Sequence, residues 1–336
     1  MTPAATATAE MLPPVDVTLI AAPVGVAALR AAPVAVGPAA TARPLAATIS
    51  QLVRPRITVM VLATVATAAW LTGGRPVEPV RLVAVLIGTA LVAASSSIVN
   101  QIAERRTDRL MPRTAGRPLA AGGMSVSRAA WWSAALLVVG AAVVTVAGGW
   151  PAAAAAVATW LIYVVVYTPM KLVSPLNTAV GAIAGALPVA IGWLAADGPA
   201  RLAAGDARGG LAAAALAGVL YLWQFPHFMA IAWLYRRHYA AAGLQMLTVV
   251  DPTGLRAAGQ ALSAALAMVP VSLVLAVPSG SVRLFLAAAV AAVAYAVATA
   301  RFAIRRDDAT ARTLLLTSLA TLLGLLCAAV AFGRPV

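Results

Sequence analysis

The stretch "RLVAVLIGTALVAASSSIVNQIAERRTDRLMPRTAGRPLAAG", Arg81 to Gly122, holds two opposite characters in one run. From Leu82 to Val99 no side chain carries a charge, whereas Asn100 to Arg117 puts seven charged residues into eighteen. The apolar half is long enough to approach the roughly 20 residues of helix that cross a hydrocarbon core. Lipid offers no partner for backbone N–H and C=O groups, and the run lacks the alternation of a barrel strand, so helix is the structure left to it.

The same composition extends outward in both directions. Of 336 residues, 62% are hydrophobic and only 10% charged, with a mean hydropathy of +0.93. That excludes an ordinary soluble domain. Nine candidate spans follow, at about 57–73, 81–103, 129–147, 151–169, 176–195, 211–235, 259–277, 282–300 and 313–332. The gaps carry glycine, proline or charge, as in "TGGRPVEP" and "VPSGS". The expected fold is an all-α integral membrane protein, a bundle of nine transmembrane helices with polar loops facing the cytoplasm. Residues 1–48, with "LPP" and two "AAP" runs and few charged or aromatic residues, read as a disordered Ala/Pro-rich cytoplasmic tail, leaving 49–336 as the helical domain. The tail lacks the pattern of a secretory signal peptide.

Charge sets the orientation. With a cytoplasmic N-terminus, 18 of the 24 Lys and Arg residues fall on the cytoplasmic side, and nine spans put the C-terminus outside. The net charge of +14 therefore belongs to a membrane protein and not to a nucleic-acid binder. The expected location is the bacterial plasma (inner) membrane. Cys327, the single cysteine, lies in an apolar run and has no partner for an internal disulfide.

Asn100, Glu104 and Asp108 stand at i, i+4 and i+8, so a helix lays them along one stripe. Oxygen ligands on one stripe suit Mg²⁺, which binds through one or two carboxylates together with substrate phosphates. Arg105, Arg106, Arg109, Arg113 and Arg117 beside them suit phosphate oxygens. The same residues also describe a plain helix end at a membrane surface. "YTPMK", Tyr167 to Lys171, puts a phenol and an ammonium at the end of span four, suited to phosphate or to interfacial anchoring. Span six reads "YLWQFPHFMAIAWLYRRHYAAAGLQMLTVVDPTG": Pro226 should kink or open the helix, and His227 is an ionisable group inside a span. Such a histidine serves a site or bonds a neighbouring helix. Polar groups gathered at helix ends instead of the midplane argue against a transporter.

Four blocks together resemble the UbiA superfamily of intramembrane prenyltransferases, and within it the haem O synthases: "RPRITVMVLAT", "NQIAERRTDRLMPRTAGRPLAAG", "YTPMKLVSPLNTAVGAIAGALPVAIGW" and "WQFPHFMAIAWLYRRHYAAAGLQML". The resemblance covers roughly residues 50 to 333. It implies transfer of farnesyl from farnesyl diphosphate to a vinyl group of haem b, with Mg²⁺, in the lipid bilayer. It also implies haem A synthase or terminal oxidase assembly proteins as candidate partners. By position it assigns Asn100, Glu104 and Asp108 to the metal, Arg105, Arg113, Arg117, Tyr167 and Lys171 to the diphosphate, and His227 to haem. Gly181, Gly185 and Gly192 would give room for a porphyrin, an isoprenoid or another helix. One position departs from the family: His238 stands where an Asp is expected, and imidazole is a poor Mg²⁺ ligand. Asp251 is the nearby acid that would take the metal with or in place of His238; alternatively a protonated His238 would contact phosphate directly, or the substitution weakens or abolishes activity. Two other readings stay open, an aromatic (quinone precursor) prenyltransferase and a non-catalytic haem-binding or oxidase assembly protein.

Overall fold

The computed structural model describes residues 45–72 and 77–333. Of the tail read over 1–48, residues 1–44 lie outside that range, and Leu45 to Thr48 begin a helix. In chain order the helices are α1 (Leu45–Val53), α2 (Pro55–Thr72), α3 (Pro79–Asp108), α4 (Val126–Gly148), α5 (Trp150–Met170), α6 (Asn177–Ala195), α7 (Gly198–Ala203), α8 (Arg208–Leu234), α9 (Arg236–Ala241), α10 (Leu247–Val250), α11 (Leu255–Val274), α12 (Val282–Arg305) and α13 (Asp308–Phe332). Among the described residues nine are long and apolar enough to cross a membrane: α2 to α6, α8 and α11 to α13. The nine-span, all-helical expectation holds.

The helix starts follow local chemistry. Ser125, Ser281 and Asp307 each accept a backbone N–H of the first turn of α4, α12 and α13, and Glu78 does so for α3 ahead of Pro79. These caps set the starts of α3, α4 and α13 ahead of the apolar runs from which the spans were read. At its other end α3 continues past the expected boundary to Asp108, which keeps Asn100, Glu104 and Asp108 on one helix.

Helix α8 occupies the centre, packed on α2, α6, α11 and α13. It continues through Pro226 as one helix, so of the expected kink or opening, the opening does not occur. The Tyr295 hydroxyl of α12 donates 2.7 Å to the Trp223 carbonyl, next to the Leu222 carbonyl that Pro226 leaves without its i+4 donor. In α5, residues Ile162–Tyr167 form a wider π-helical stretch just before Pro169. There Thr168 Oγ1 donates to the Tyr163 carbonyl at 2.8 Å. Such stretches occur often at functional sites.

Small residues bring the helices together, as is usual where lipid replaces water. Gly88 of α3 and Gly140 of α4 face each other: a Cβ on either would lie 2.8 Å from the carbonyl of the other. Gly192 of α6 abuts Val65 and Ala68 of α2, which makes it a helix contact. Gly181 lies against the Tyr167 ring and Gly185 against the Gln224 amide. Between α3, α4 and α5, Ser95 Oγ bonds Ser133 Oγ at 2.8 Å and accepts Trp160 Nε1–H at 3.0 Å.

Replacing Gly140 by Val should overpack the α3–α4 crossing and cost about 1–3 kcal/mol, read as a lower thermal midpoint of the detergent-solubilised protein. Gly324→Ala, where an added Cβ meets nothing within 4 Å inside α13, should hold the midpoint or raise it.

Candidate active site

The C-terminal ends of α3, α5 and α8 meet at one end of the bundle, where the Gln245 N–H donates to the Lys171 carbonyl at 2.7 Å. Helix α3 brings three side chains there on one stripe. Asn100 is fully buried: its Nδ2 donates to Glu104 at 2.7 Å, and its Oδ1 lies 3.1 Å from Thr168 Oγ1 and accepts from Lys171 at 3.4 Å. Lys171 Nζ donates to Glu104 Oε1 at 2.6 Å and sits 4.2 Å over the Tyr167 ring. Arg117 grips both oxygens of Asp108, at 2.8 and 2.7 Å, and reaches Glu104 at 3.7 Å. The result is a compact lattice of two carboxylates and two cations, nearly withdrawn from solvent.

Withdrawal of this kind is tolerable only because the charges alternate. Burial by itself would lower the pKa of Lys171, but the Tyr167 and Glu104 oxygens outweigh it, so the pKa is raised and the ammonium stays charged. Burial, with repulsion from Arg54, lowers the pKa of Arg117 from its ordinary value, against the pull of Asp108. Burial raises the pKa of Tyr239, which keeps the phenol neutral.

The lattice forms the mouth of a cavity of about 600 Å³. Its lining includes Glu104, Asp108, Arg113, Arg117, Tyr167 and Lys171 at the polar end. Aliphatic and aromatic side chains of α2, α3, α5, α6 and α8 make the walls, and His227 and Phe228 line them from α8. Seven of the sequence-assigned residues are thus brought to one space, although Arg113 is held over the Tyr235 ring, 4.8 Å from its centroid. A concave, largely apolar pocket with a few convergent polar groups is the form of a small-molecule site.

Residues 61–322 match the model of the UbiA prenyltransferase family. The chain belongs to that family. It is 43% identical to the Protoheme IX farnesyltransferase of Rhodopirellula baltica over 226 residues, 67% of this chain and 76% of that one. To the Protoheme IX farnesyltransferase of Solibacter usitatus it is 36% identical over 280 residues, 80% and 92% of the two chains. The solved structure of a UbiA homolog from Archaeoglobus fulgidus bound to GPP and Mg²⁺ superposes with a TM-score of 0.60 at 17% identity, over 84% of this chain and 99% of that one.

As a UbiA family member the chain departs from four expectations of its sequence. Asn100 does not line the cavity: it lies behind Glu104 and fixes that carboxylate. Arg105 turns back to donate to the Ile102 carbonyl at 2.8 Å and is absent from the lining. His238 is exposed beside Tyr235, while its neighbour Tyr239 takes the buried, cavity-facing position of α9. Asp251 is turned away from the cavity: its oxygens accept from Thr253 and from the Arg256 N–H, closing the turn before α11. Among the described residues no group of three or more His, Cys, Asp or Glu converges as a metal site.

Other lining residues had no distinct signal. Arg54, counted in the sequence only as a positive-inside charge, sits between α1 and α2 with a left-handed φ of 51°. Its Nη2 is buried with no hydrogen-bond partner among the described residues. A bulky residue in that region of φ is uncommon and strain of this kind clusters at functional sites. Tyr163, Trp223 and Tyr239 likewise line the cavity from positions that read as ordinary membrane aromatics.

Arg117→Gln leaves the buried Asp108 carboxylate without its bidentate partner and should cost about 3–5 kcal/mol. Combining it with Asp108→Asn should recover a large part of the loss in a thermal unfolding series. An equal loss in the single and double variants would show that the ion pair is not what holds this end of the bundle.

Proposed function

We propose that this protein is a protohaem IX farnesyltransferase. It joins C1 of farnesyl diphosphate to the terminal carbon of a haem b vinyl group, water adds to the inner vinyl carbon, and haem O, pyrophosphate and a proton are released. The observation that carries this reading is the continuity of the charged mouth with the apolar-walled cavity, in a chain 43% identical to a named enzyme of this activity.

Breaking an allylic C–O bond builds negative charge on the departing pyrophosphate. Groups already aimed at that position stabilise the transition state more than the ground state. Lys171 and Arg117 are such groups, with Arg113 and Arg54 lining the same space. Their present carboxylate partners, Glu104 and Asp108, are all-oxygen donors on one face and fit Mg²⁺, which needs only one or two carboxylates when phosphate completes its shell. Bound there, Mg²⁺ supplies positive charge to the leaving group. Asn100 fixes the Glu104 carboxylate through its amide, a supporting role one step behind the ligands. The Tyr163 and Tyr167 rings and the aliphatic walls exclude water from the allylic cation until it is captured. His238 and Asp251, outside the cavity, take no part in holding the metal.

The basic asymmetry of the sequence supports reading this mouth as facing the cytoplasm at a bacterial plasma (inner) membrane, where a water-soluble diphosphate headgroup would arrive while the farnesyl chain lies in lipid. Haem A synthase or oxidase assembly proteins are the partners this product calls for.

Membranes bearing the wild-type protein, given haem b, farnesyl diphosphate and Mg²⁺, should yield hydroxyethylfarnesyl haem by mass spectrometry. Chelation of Mg²⁺ should abolish it, and Asp108→Ala should lower it by about 100-fold or more, the scale of losing one charge-stabilising group. A prenylated product from 4-hydroxybenzoate, with none from haem b, would refute the assignment.

A further inference from the structure

One polar group in the apolar wall of the cavity is left unused by the diphosphate chemistry. Gln224 of α8 is buried and lines the cavity. Its Nε2 donates to two backbone carbonyls, that of Ala182 on α6 at 3.0 Å and that of Leu220 on its own helix at 2.9 Å. Both partners only accept, so turning the amide over would lose both bonds and set oxygen against oxygen. The carbonyl end is therefore fixed in place, and Oε1 accepts no hydrogen bond among the described residues. Gly185 of α6 makes the room for it, since a Cβ there would overlap Oε1. Buried polar atoms are nearly always paired, and an acceptor left unpaired in an apolar wall is costly.

The amide stands close behind the charged mouth. On α6, Gly181 packs on the Tyr167 ring and Gly185 on the Gln224 amide, so the amide lies one helical turn, roughly 5 Å, further into the bundle than that ring. Lys171 Nζ is 4.2 Å from the centroid of the same ring. An acceptor in this place calls for a donor. Farnesyl diphosphate bound as its anion has none, and haem b with ionised propionates has none. The remaining reactant, water, has two.

We propose that Gln224 Oε1 holds the water that the reaction consumes, by accepting one of its hydrogens. This rests on haem being the prenyl acceptor. Once farnesyl C1 has bonded to the terminal vinyl carbon, positive charge lies on the inner vinyl carbon. The oxygen of the held water forms its bond to that carbon, and a proton passes from it to the released pyrophosphate, leaving the hydroxyethyl group. The fixed amide dipole, with its oxygen toward the cavity, also favours the cation. If no water is in place, the cation instead loses a proton from the neighbouring carbon, and that C–H pair becomes a C=C bond. The product is then an alkene, lighter than the alcohol by one water.

The test is the ratio of alcohol to alkene, read by mass spectrometry beside pyrophosphate release, in membranes given haem b, farnesyl diphosphate and Mg²⁺. Wild type should give the alcohol. Gln224→Leu, which removes the acceptor, should lower the ratio about 10- to 100-fold, the scale of a misplaced reactant, while pyrophosphate release continues because C–C bond formation comes first. Gly185→Ala, which displaces the amide without removing it, should move the ratio the same way, and it decides the matter where Gln224→Leu does not fold. Gln224→Glu, which keeps an oxygen at this position, should retain the alcohol. An unchanged ratio in Gln224→Leu and Gly185→Ala overturns the water site and leaves the transferase assignment standing. Pyrophosphate release abolished in both, at wild-type thermal midpoints, does the same, because a group that acts after C–C bond formation cannot abolish transfer. Absence of any haem product from wild type overturns both.

Discussion

The arrangement depends on one electrostatic constraint: two carboxylates, Glu104 and Asp108, are taken out of water at the end of a membrane helix. Neither can be left alone there, because an unpaired buried charge costs several kcal/mol. Lys171 from the end of α5 and Arg117 from the loop after α3 supply the opposite charges. That requirement ties three segments to one point. It also leaves a set of charges that are balanced with one another and that a diphosphate headgroup would redistribute.

The rest of the bundle keeps this cluster dry and connected. Close helix approaches at Gly88, Gly140 and Gly192 seal the apolar walls. The π-helical stretch of α5 places Tyr163, Tyr167 and Lys171 in succession along the cavity, and the unbroken passage of α8 through Pro226 carries His227 to its other side. A prenyl diphosphate has a charged end and a greasy end, and the cavity has the same polarity. The mechanism needs that coincidence, since the leaving group must be stabilised by charge and the allylic fragment shielded from water.

Much of this was legible in the sequence, for physical reasons that vary by residue. The spans follow from composition, because the bilayer leaves few alternatives to helix. That Glu104 and Asp108 share a stripe was legible through helical spacing, and that Tyr167 and Lys171 share a turn likewise, whereas Arg117 was one of five nearby arginines and stood out only through the family resemblance. Asn100 was found by the same spacing, but its depth behind Glu104 depends on how α3 is rotated against its neighbours. Arg105 follows Glu104 by one residue, and a helix turns successive residues by 100°, so its side chain leaves the stripe that faces the cavity. His238 and Asp251 were read from a loop, where no periodicity fixes direction, and Tyr239 holds the inward place. The fixed amide of Gln224 could not be found from local sequence, since it meets the Ala182 carbonyl across 42 residues. Arg54 looked like any positive-inside arginine until its backbone angle and its unpartnered Nη2 were seen.

The central claim is that the Glu104–Lys171 and Asp108–Arg117 lattice is a metal-dependent diphosphate site. Calorimetric titration of a non-hydrolysable farnesyl thiodiphosphate into the purified protein tests it most directly, since binding is read without haem or turnover. Binding that requires Mg²⁺ and disappears in a chelator is the predicted result. Equal affinity with and without Mg²⁺ would mean that the cations alone hold the headgroup, and would contradict a metal role for Glu104 and Asp108.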